Sequence, residues 1–332
     1  MVAPSEPLEN AQRASSTGKR RVERLLLGAR SVRTRWVFLV AALAAACGAR
    51  TGLDVPLHHD AGPDAHPRLD AGLDVFDAPP DFPPLDPTKH DADTTGCPPT
   101  TFVYAVATND MLLRFDPPSA TFTPIAHLVC PAGGAHPFSM AVDRAGTAYV
   151  EYDSGAVFAV STVDGSCKST AYVADSDLPF GNFGMGYATI GAGPDEQLFV
   201  ASETPGTLGV LDMVSTFSIS PVAEVQPTIS APELTGTGDG RLFAYYAFGF
   251  NDGSYVAELD KATGAVIAQD YLPTVDRGTG WAFAFWGGDF WLFTTPGTQA
   301  TVRYDPATKS ATVVANYYAA IVGAGVSTCA PN

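Results

Sequence analysis

Past position 46 the chain has little positive charge: eleven Lys and Arg stand against thirty-two Asp and Glu. Such a surface repels phosphate backbones and anionic headgroups, so it argues against nucleic acid as a partner and leaves no polybasic route to a membrane. Histidine is also scarce, and only His127 and His136 fall after position 96. No H-E-x-x-H, G-x-S-x-G or phosphate-cradling loop occurs. No catalytic residue, metal ligand set or cofactor is therefore expected. Long apolar runs are missing too. The most apolar stretch, Trp36–Ala46, falls short of the roughly 20 residues a membrane-spanning helix needs.

What the N-terminal part does have is an address. Arg20, Arg21, Arg24, Arg30, Arg33 and Arg35 lead into that short apolar run, which exits through Ala44-Ala45-Ala46 to Cys47. A basic lead-in, a short apolar core and a small-residue exit describe a secretory signal over residues 1–46. The Leu43-Ala44-Ala45-Ala46-Cys47 ending resembles the lipobox of bacterial surface lipoproteins, with its leucine one place further from the cysteine than the family's usual position. The resemblance implies that Cys47 is acylated and becomes the mature N-terminus, so that acyl chains attach the protein to a membrane. It also implies an exported protein of the cell envelope, at the outer membrane or cell surface. The rival reading is ordinary cleavage after Ala46, which would leave Cys47 a free thiol.

Cysteine arithmetic bears on this choice. Five cysteines are an odd number in an exported chain, and lipidating Cys47 leaves Cys97, Cys130, Cys167 and Cys329 for two disulfides.

Residues 47–96 are rich in Asp, Pro, Ala and Gly and poor in large apolar side chains. Such a segment buries too little surface to offset its ordering entropy, and its prolines and like charges extend it. It is expected to be a disordered tether. His58, His59 and His66 lie in it without any framework to fix them around a metal.

From Cys97 onward, short runs of Val, Phe, Tyr, Leu and Thr alternate with Gly, Asp and Pro, which is an all-β pattern. Aromatic strands recur at Phe102, Thr147, Gln197, Arg241 and Phe290, at intervals of roughly 44–50 residues. A second strand follows each one. It ends in Asp116, Ser161, Asp212, Asp260 or Asp305, where an aspartate side chain can accept from the backbone of its own turn. Four strands per unit at this period predict a β-propeller over 97–332. The Leu259–Gly264 turn resembles those of quinoprotein-type propeller repeats, a likeness of architecture alone.

The first unit lacks a first strand, and Ile321–Val326 at the other end of the chain reads as one. The expectation is a five-bladed propeller closed by the C-terminal strand, with a six-bladed or irregular ring as the alternative. Cys97–Cys329 would then rejoin the cut turn, and Cys130–Cys167 follows by exclusion, although simple strand directions place those two near opposite faces. Gly181–Gly193, glycine-rich with no helix behind it, reads as loop and bulge.

Propellers usually bind ligands where the chain enters the innermost strands. Those positions carry His136, Phe138, Met185, Tyr187, Glu233 and Trp281. Of these, His136, Phe138, Tyr187, Glu233 and Trp281 are the ligand-binding candidates, suited to a sugar or a small cation. The same rings could instead be packing between blades. The functional expectation is a binding or scaffold module for a protein or glycan ligand, monomeric and without nucleic acid. The alternative is a propeller hydrolase, lyase or lactonase with a metal at the channel mouth.

Overall fold

The structure is a computed structural model that describes residues 81–332 except 192, 250, 251 and 296–298. The signal segment, Cys47 and the first part of the expected tether lie outside the described residues. Among the described residues, twenty strands form five four-stranded antiparallel sheets, and the one helical element is a single 3-10 turn at Pro117–Ser119.

Blade 1 holds β1 (Val103–Ala107), β2 (Met111–Asp116) and β3 (Thr121–His127). Blade 2 holds β4 (Pro137–Val142), β5 (Thr147–Tyr152), β6 (Val157–Ser161) and β7 (Cys167–Ser169). Blade 3 holds β8 (Phe183–Thr189), β9 (Glu196–Ser202), β10 (Thr207–Leu211) and β11 (Ile219–Glu224). Blade 4 holds β12 (Glu233–Gly236), β13 (Leu242–Tyr246), β14 (Ser254–Leu259) and β15 (Val266–Leu272). Blade 5 holds β16 (Ala282–Trp286), β17 (Asp289–Thr294), β18 (Ala300–Asp305) and β19 (Ser310–Ala315). The last strand, β20 (Ile321–Val326), returns to blade 1 and pairs with β1, from Val103 opposite Val326 to Ala107 opposite Ile321. The innermost strands then touch in sequence around the axis: β20 on β4, β4 on β8, β8 on β12, β12 on β16, and β16 on β20. The protein is a five-bladed β-propeller closed by its C-terminal strand.

The turn aspartates act as their position suggests. Asp260 Oδ1 accepts from the amides of Ala262 and Thr263 at 2.8 and 2.9 Å, and Asp305 Oδ1 accepts from Ala307 and Thr308 at 2.8 and 3.2 Å. Gly181–Gly193, expected as loop and bulge, is largely strand β8. Glycine serves there, and in β20, to let inner strands approach backbone to backbone. A Cβ on Gly325 would stand 2.8 Å from the Val142 nitrogen of the next blade. Between blades the core is apolar and strongly aromatic, with Phe243, Phe283, Phe285 and Phe290 packed together between blades 4 and 5.

Two disulfides are formed. Cys97–Cys329 joins the two ends of the propeller, with Cα atoms 5.5 Å apart. Cys130–Cys167, with Cα atoms 5.3 Å apart, links the connection after β3 to the outermost strand of blade 2. The apparent mismatch of faces disappears because the turn before β7 leans on the previous blade, where Gly165 sits against Ala126 and Leu128. Strand twist carries the end of β3 across to that turn.

The described chain begins inside the stretch read as tether, and residues 82–95 lie on the propeller. Leu85 is buried in the core cluster between blades 4 and 5. Pro83 accepts from the Gln269 amide at 2.9 Å, Asp86 accepts from Arg241 at 3.0 Å, and Lys89 donates to Gly287 at 3.0 Å. Arg144 of blade 2 then donates to the carbonyls of Asp93 and Thr95 at 2.7 and 3.1 Å. One apolar anchor and a set of long-range hydrogen bonds hold a segment whose composition alone would not order it.

Candidate functional site

At the channel mouth, side chains from blades 2 and 4 meet. Glu233, the first residue of β12, is buried, and its Oε2 accepts from Ser139 Oγ of β4 at 2.9 Å. This bond runs from blade 2 to blade 4, past blade 3. Gly184 of β8 makes room for it, since a Cβ there would stand 2.7 Å from the Glu233 Cα. Opposite Ser139 in the β4–β5 ladder is Glu151, fully buried, whose Oε2 accepts from the Phe183 amide at 3.2 Å while its Oε1 has no partner. Burial pushes both carboxyls well above the usual range, and Glu151 is raised further by Glu233, Glu203 and Asp153. Burial therefore disfavours the charged form of each. No imidazole hydrogen-bonds to Ser139 among the described residues.

The other candidates at this end engage separate partners. His136 is exposed, with its Nδ1 3.9 Å from an Asp110 carboxylate and its amide donating to Asp153 at 3.1 Å. Phe138 is half-buried at a bulge, where the ladder steps from Pro137–Tyr152 to Ser139–Glu151. Trp281 donates through Nε1 to the Ala231 carbonyl at 3.1 Å, and the Arg277 guanidinium covers its ring at 4.2 Å. That ring face is already occupied. Among the described residues, no hydrogen bond or ion pair joins His136, Phe138, Glu233 and Trp281 to one another. No three or more His, Cys, Asp and Glu side chains converge among the described residues as a metal-ligand set.

Tyr187 lies elsewhere. Strand β8 starts at Phe183, opposite Ser202, so Tyr187 is five residues in, opposite Leu198 and toward the far face of the ring. Its ring centroid is 6.0 Å from that of Tyr149 on β5. The two rings stand in a cleft of about 630 Å³ between blades 2 and 3, whose lining also includes Asp143, Glu196, Asp212 and Met213. Asp143 accepts from the Thr147 amide at 2.7 Å, and Glu196 accepts from the Arg144 amide and the Thr328 hydroxyl, both at 2.7 Å. Burial raises the pKa of both carboxyls, and Asp143 pushes Glu196 further. Burial likewise raises the Tyr187 and Tyr149 phenols, with Asp143 adding to each.

A second opening of about 830 Å³ lies where the two ends of the propeller meet, along Lys89–Thr101 and Cys329–Asn332. Its wall is the clasp itself. Arg144 donates to Thr328 Oγ1 at 3.2 Å and touches Cys97 Sγ at 3.2 Å, while Asn332 donates to the His90 carbonyl at 2.7 Å.

Sequence reasoning passed over Ser139, Glu151, Tyr149, Asp143 and Glu196. One signal was present. In T-A-Y-V-E-Y, period-two alternation puts Tyr149 and Glu151 on one face of the strand, and a buried glutamate on such a face is unusual enough to mark.

No protein-family model matches the chain, and no curated protein does. Solved structures similar to it include TolB from Acinetobacter baumannii, at 13% identity and a TM-score of 0.39, covering 67% of this chain and 55% of that one. A Bacteroides thetaiotaomicron protein of unknown function is 11% identical with a TM-score of 0.41, covering 70% of this chain and 64% of that one. A catalytically inactive virginiamycin B lyase from Staphylococcus aureus, solved with quinupristin, is 12% identical with a TM-score of 0.37, covering 64% and 69%. The chain thus spans less than two thirds of the length of the first two. Among the described residues no helix is long and apolar enough to cross a membrane.

Proposed function

We propose that this protein is an exported, lipid-anchored binding module. Cys47 carries the acyl anchor, and the propeller presents the cleft between blades 2 and 3 to an envelope or extracellular ligand. The observation that carries the binding reading is the contrast between the channel mouth and the cleft between blades 2 and 3. At the mouth the candidate side chains already have partners, Glu233 with Ser139 and Trp281 with Arg277, whereas Tyr149 and Tyr187 stand in a cleft of about 630 Å³. Open concave sites with aromatic walls and a few polar groups are where ligands lodge. Two disulfides suit an oxidising compartment, which supports export.

Two measurements test this. Unreduced mass spectrometry of the protein from its native membrane should give a mature N-terminus at Cys47 with acyl mass. An unmodified Cys47 would remove the anchor. A panel of glycans, peptides and small organic ions, screened by thermal shift, should give hits that Tyr149→Leu abolishes. Hits that survive this change would place binding elsewhere, and turnover of a panel of esters, lactones and glycosides would replace the binding reading with an enzymatic one.

A further inference from the structure

Leu85 is the one buried side chain of residues 81–96, 2% exposed in the cluster that also holds Phe243, Phe285 and Phe290. Its amide donates to Asp270 Oδ1 at 3.3 Å, and the Asp86 carbonyl accepts from Arg241 at 3.0 Å. Asp86 Oδ1 accepts from the Thr88 amide at 2.8 Å, which closes a turn two residues on. The groove between blades 4 and 5 thus takes a leucine side chain, that residue's N–H, the next residue's carbonyl and an aspartate that caps its own turn. Nothing in this set is peculiar to position 85. Between Cys47 and Gly96 there are five leucines, and four of them, Leu53, Leu69, Leu73 and Leu85, are followed by aspartate. We infer that the groove is an exchangeable docking site for these pairs, and that Leu73-Asp74 takes it in place of Leu85-Asp86. The inference goes beyond the binding reading above and uses no part of the blade 2–3 cleft.

The contacts themselves select among the pairs, of which Leu53, Leu69 and Leu73 lie outside the described residues. The turn needs an N–H two residues after the aspartate. Leu53-Asp54 has Pro56 at that place and cannot supply one, whereas Leu69-Asp70 has Gly72 and Leu73-Asp74 has Phe76. Of these two, Leu73 is the nearer along the chain, and Val75 and Phe76 after it bring apolar surface that Ala71 and Gly72 lack. The geometry of the chain permits the exchange. The described residues begin at Asp81, and Leu73 stands twelve residues upstream of the docked leucine. Twelve residues carry the chain from Leu85 to Cys97, and twenty-four would carry it from Leu73, so no stretching is required. Doubling a loop adds little closure entropy. The resident pair keeps the advantage of the flanking Pro83–Gln269 and Lys89–Gly287 hydrogen bonds, so Leu73 competes for the groove without displacing Leu85 outright. With Cys47 as the anchor, exchange shortens the chain between membrane and docking point by twelve residues, about 40 Å when fully extended. That consequence rests on the anchor proposed above, and the docking does not.

Hydrogen exchange on the full chain, read by mass spectrometry, compares wild type, Leu85→Ala and the double variant Leu73→Ala/Leu85→Ala. Removing Leu85 should hand the groove to Leu73. The expected result is exchange over residues 74–77 at least about tenfold slower in Leu85→Ala than in the double variant, with wild type close to the double variant. Equal exchange in the two variants would overturn the inference. Equal protection in wild type and Leu85→Ala would overturn it as well, because Leu73 would then have a seat of its own. A second measurement works in trans, on the double variant. A fluorescein-labelled peptide of residues 72–80 should bind it by anisotropy, and the same peptide carrying Leu73→Ala should bind at least about tenfold more weakly. A peptide that does not bind, or one whose binding survives Leu73→Ala, would overturn the reading of the groove as a leucine–aspartate site. Neither measurement involves Tyr149 or acylation of Cys47, so failure here leaves the binding reading standing, and failure of that reading leaves the groove standing.

Discussion

Replacing Cys97 and Cys329 together by serine cuts the covalent closure of the ring while leaving the β1–β20 ladder in place. The disulfide spans a sequence separation of 232 residues, against 37 for Cys130–Cys167. Chain-entropy estimates value the first at about 5 kcal/mol and the second at about 4 kcal/mol. The clasp does not stand alone. Arg144 ties the segment before Cys97 to Thr328 beside Cys329, and β20 still pairs with β1 and packs on β4 and β16. The double variant should therefore fold, keep its β-sheet circular dichroism, and lose several kcal/mol of stability. Urea unfolding followed by tryptophan fluorescence measures this directly, since Trp286 and Trp291 lie near the closure in blade 5 and each donates a hydrogen bond from its indole. The Cys130→Ser/Cys167→Ser pair, measured in parallel, should lose less. A loss below about 1 kcal/mol for the long loop, or a larger loss for the short one, would refute the argument that ring closure is covalently secured there.

The buried carboxyls make a pH prediction. Both Glu233 and Glu151 have folded-state pKa values raised above those of the unfolded chain. Their contribution to stability is therefore full below the ordinary glutamate pKa and declines as pH rises toward the folded value, by about 1.4 kcal/mol per unit of pKa difference. Glu233→Gln should raise the melting temperature at neutral pH and flatten its pH profile between acid and neutral, and a destabilised variant at pH 7 would contradict the cost assigned to burying this carboxyl. Leu85→Ala should cost about 2–3 kcal/mol and expose residues 81–96 to limited proteolysis; unchanged protection would mean that Leu85 does not anchor the segment. Asp260→Ala removes two turn hydrogen bonds and should cost about 1 kcal/mol in urea unfolding, with no change in the fold.

Much of the architecture was legible because it repeats. Alternating aromatic strands, and aspartates at the turn before the outermost strand in all units but that of Ser161, are local and recur often enough to be seen against noise, while the lone strand at Ile321–Val326 matches the one the first unit lacks. The disulfide pairing followed from the closure. The site was less legible. Tyr187 was assigned to the channel mouth because Gly181–Gly193 hides where β8 begins, and starting the ladder at Phe183 moves Tyr187 toward the far face. Glu233 was singled out by its type and place. Its partner Ser139 stands 94 residues away in a blade that is not its neighbour, and no spacing rule connects them.

The sequence by itself determined the strand count, the five units and the closing strand, because backbone pairing needs only alternation, turn residues and a free edge to specify it. Tertiary structure alone decided what meets across blades: Ser139 with Glu233 through the gap left by Gly184, Tyr149 with Tyr187 over the cleft, Arg144 on both ends of the propeller, and Leu85 holding down an acidic, proline-rich segment. The physical reason is the range of the forces involved. Strand pairing is written in consecutive residues, whereas these contacts depend on blade twist and on how closely glycine lets inner strands approach, and those are set only when the ring is closed.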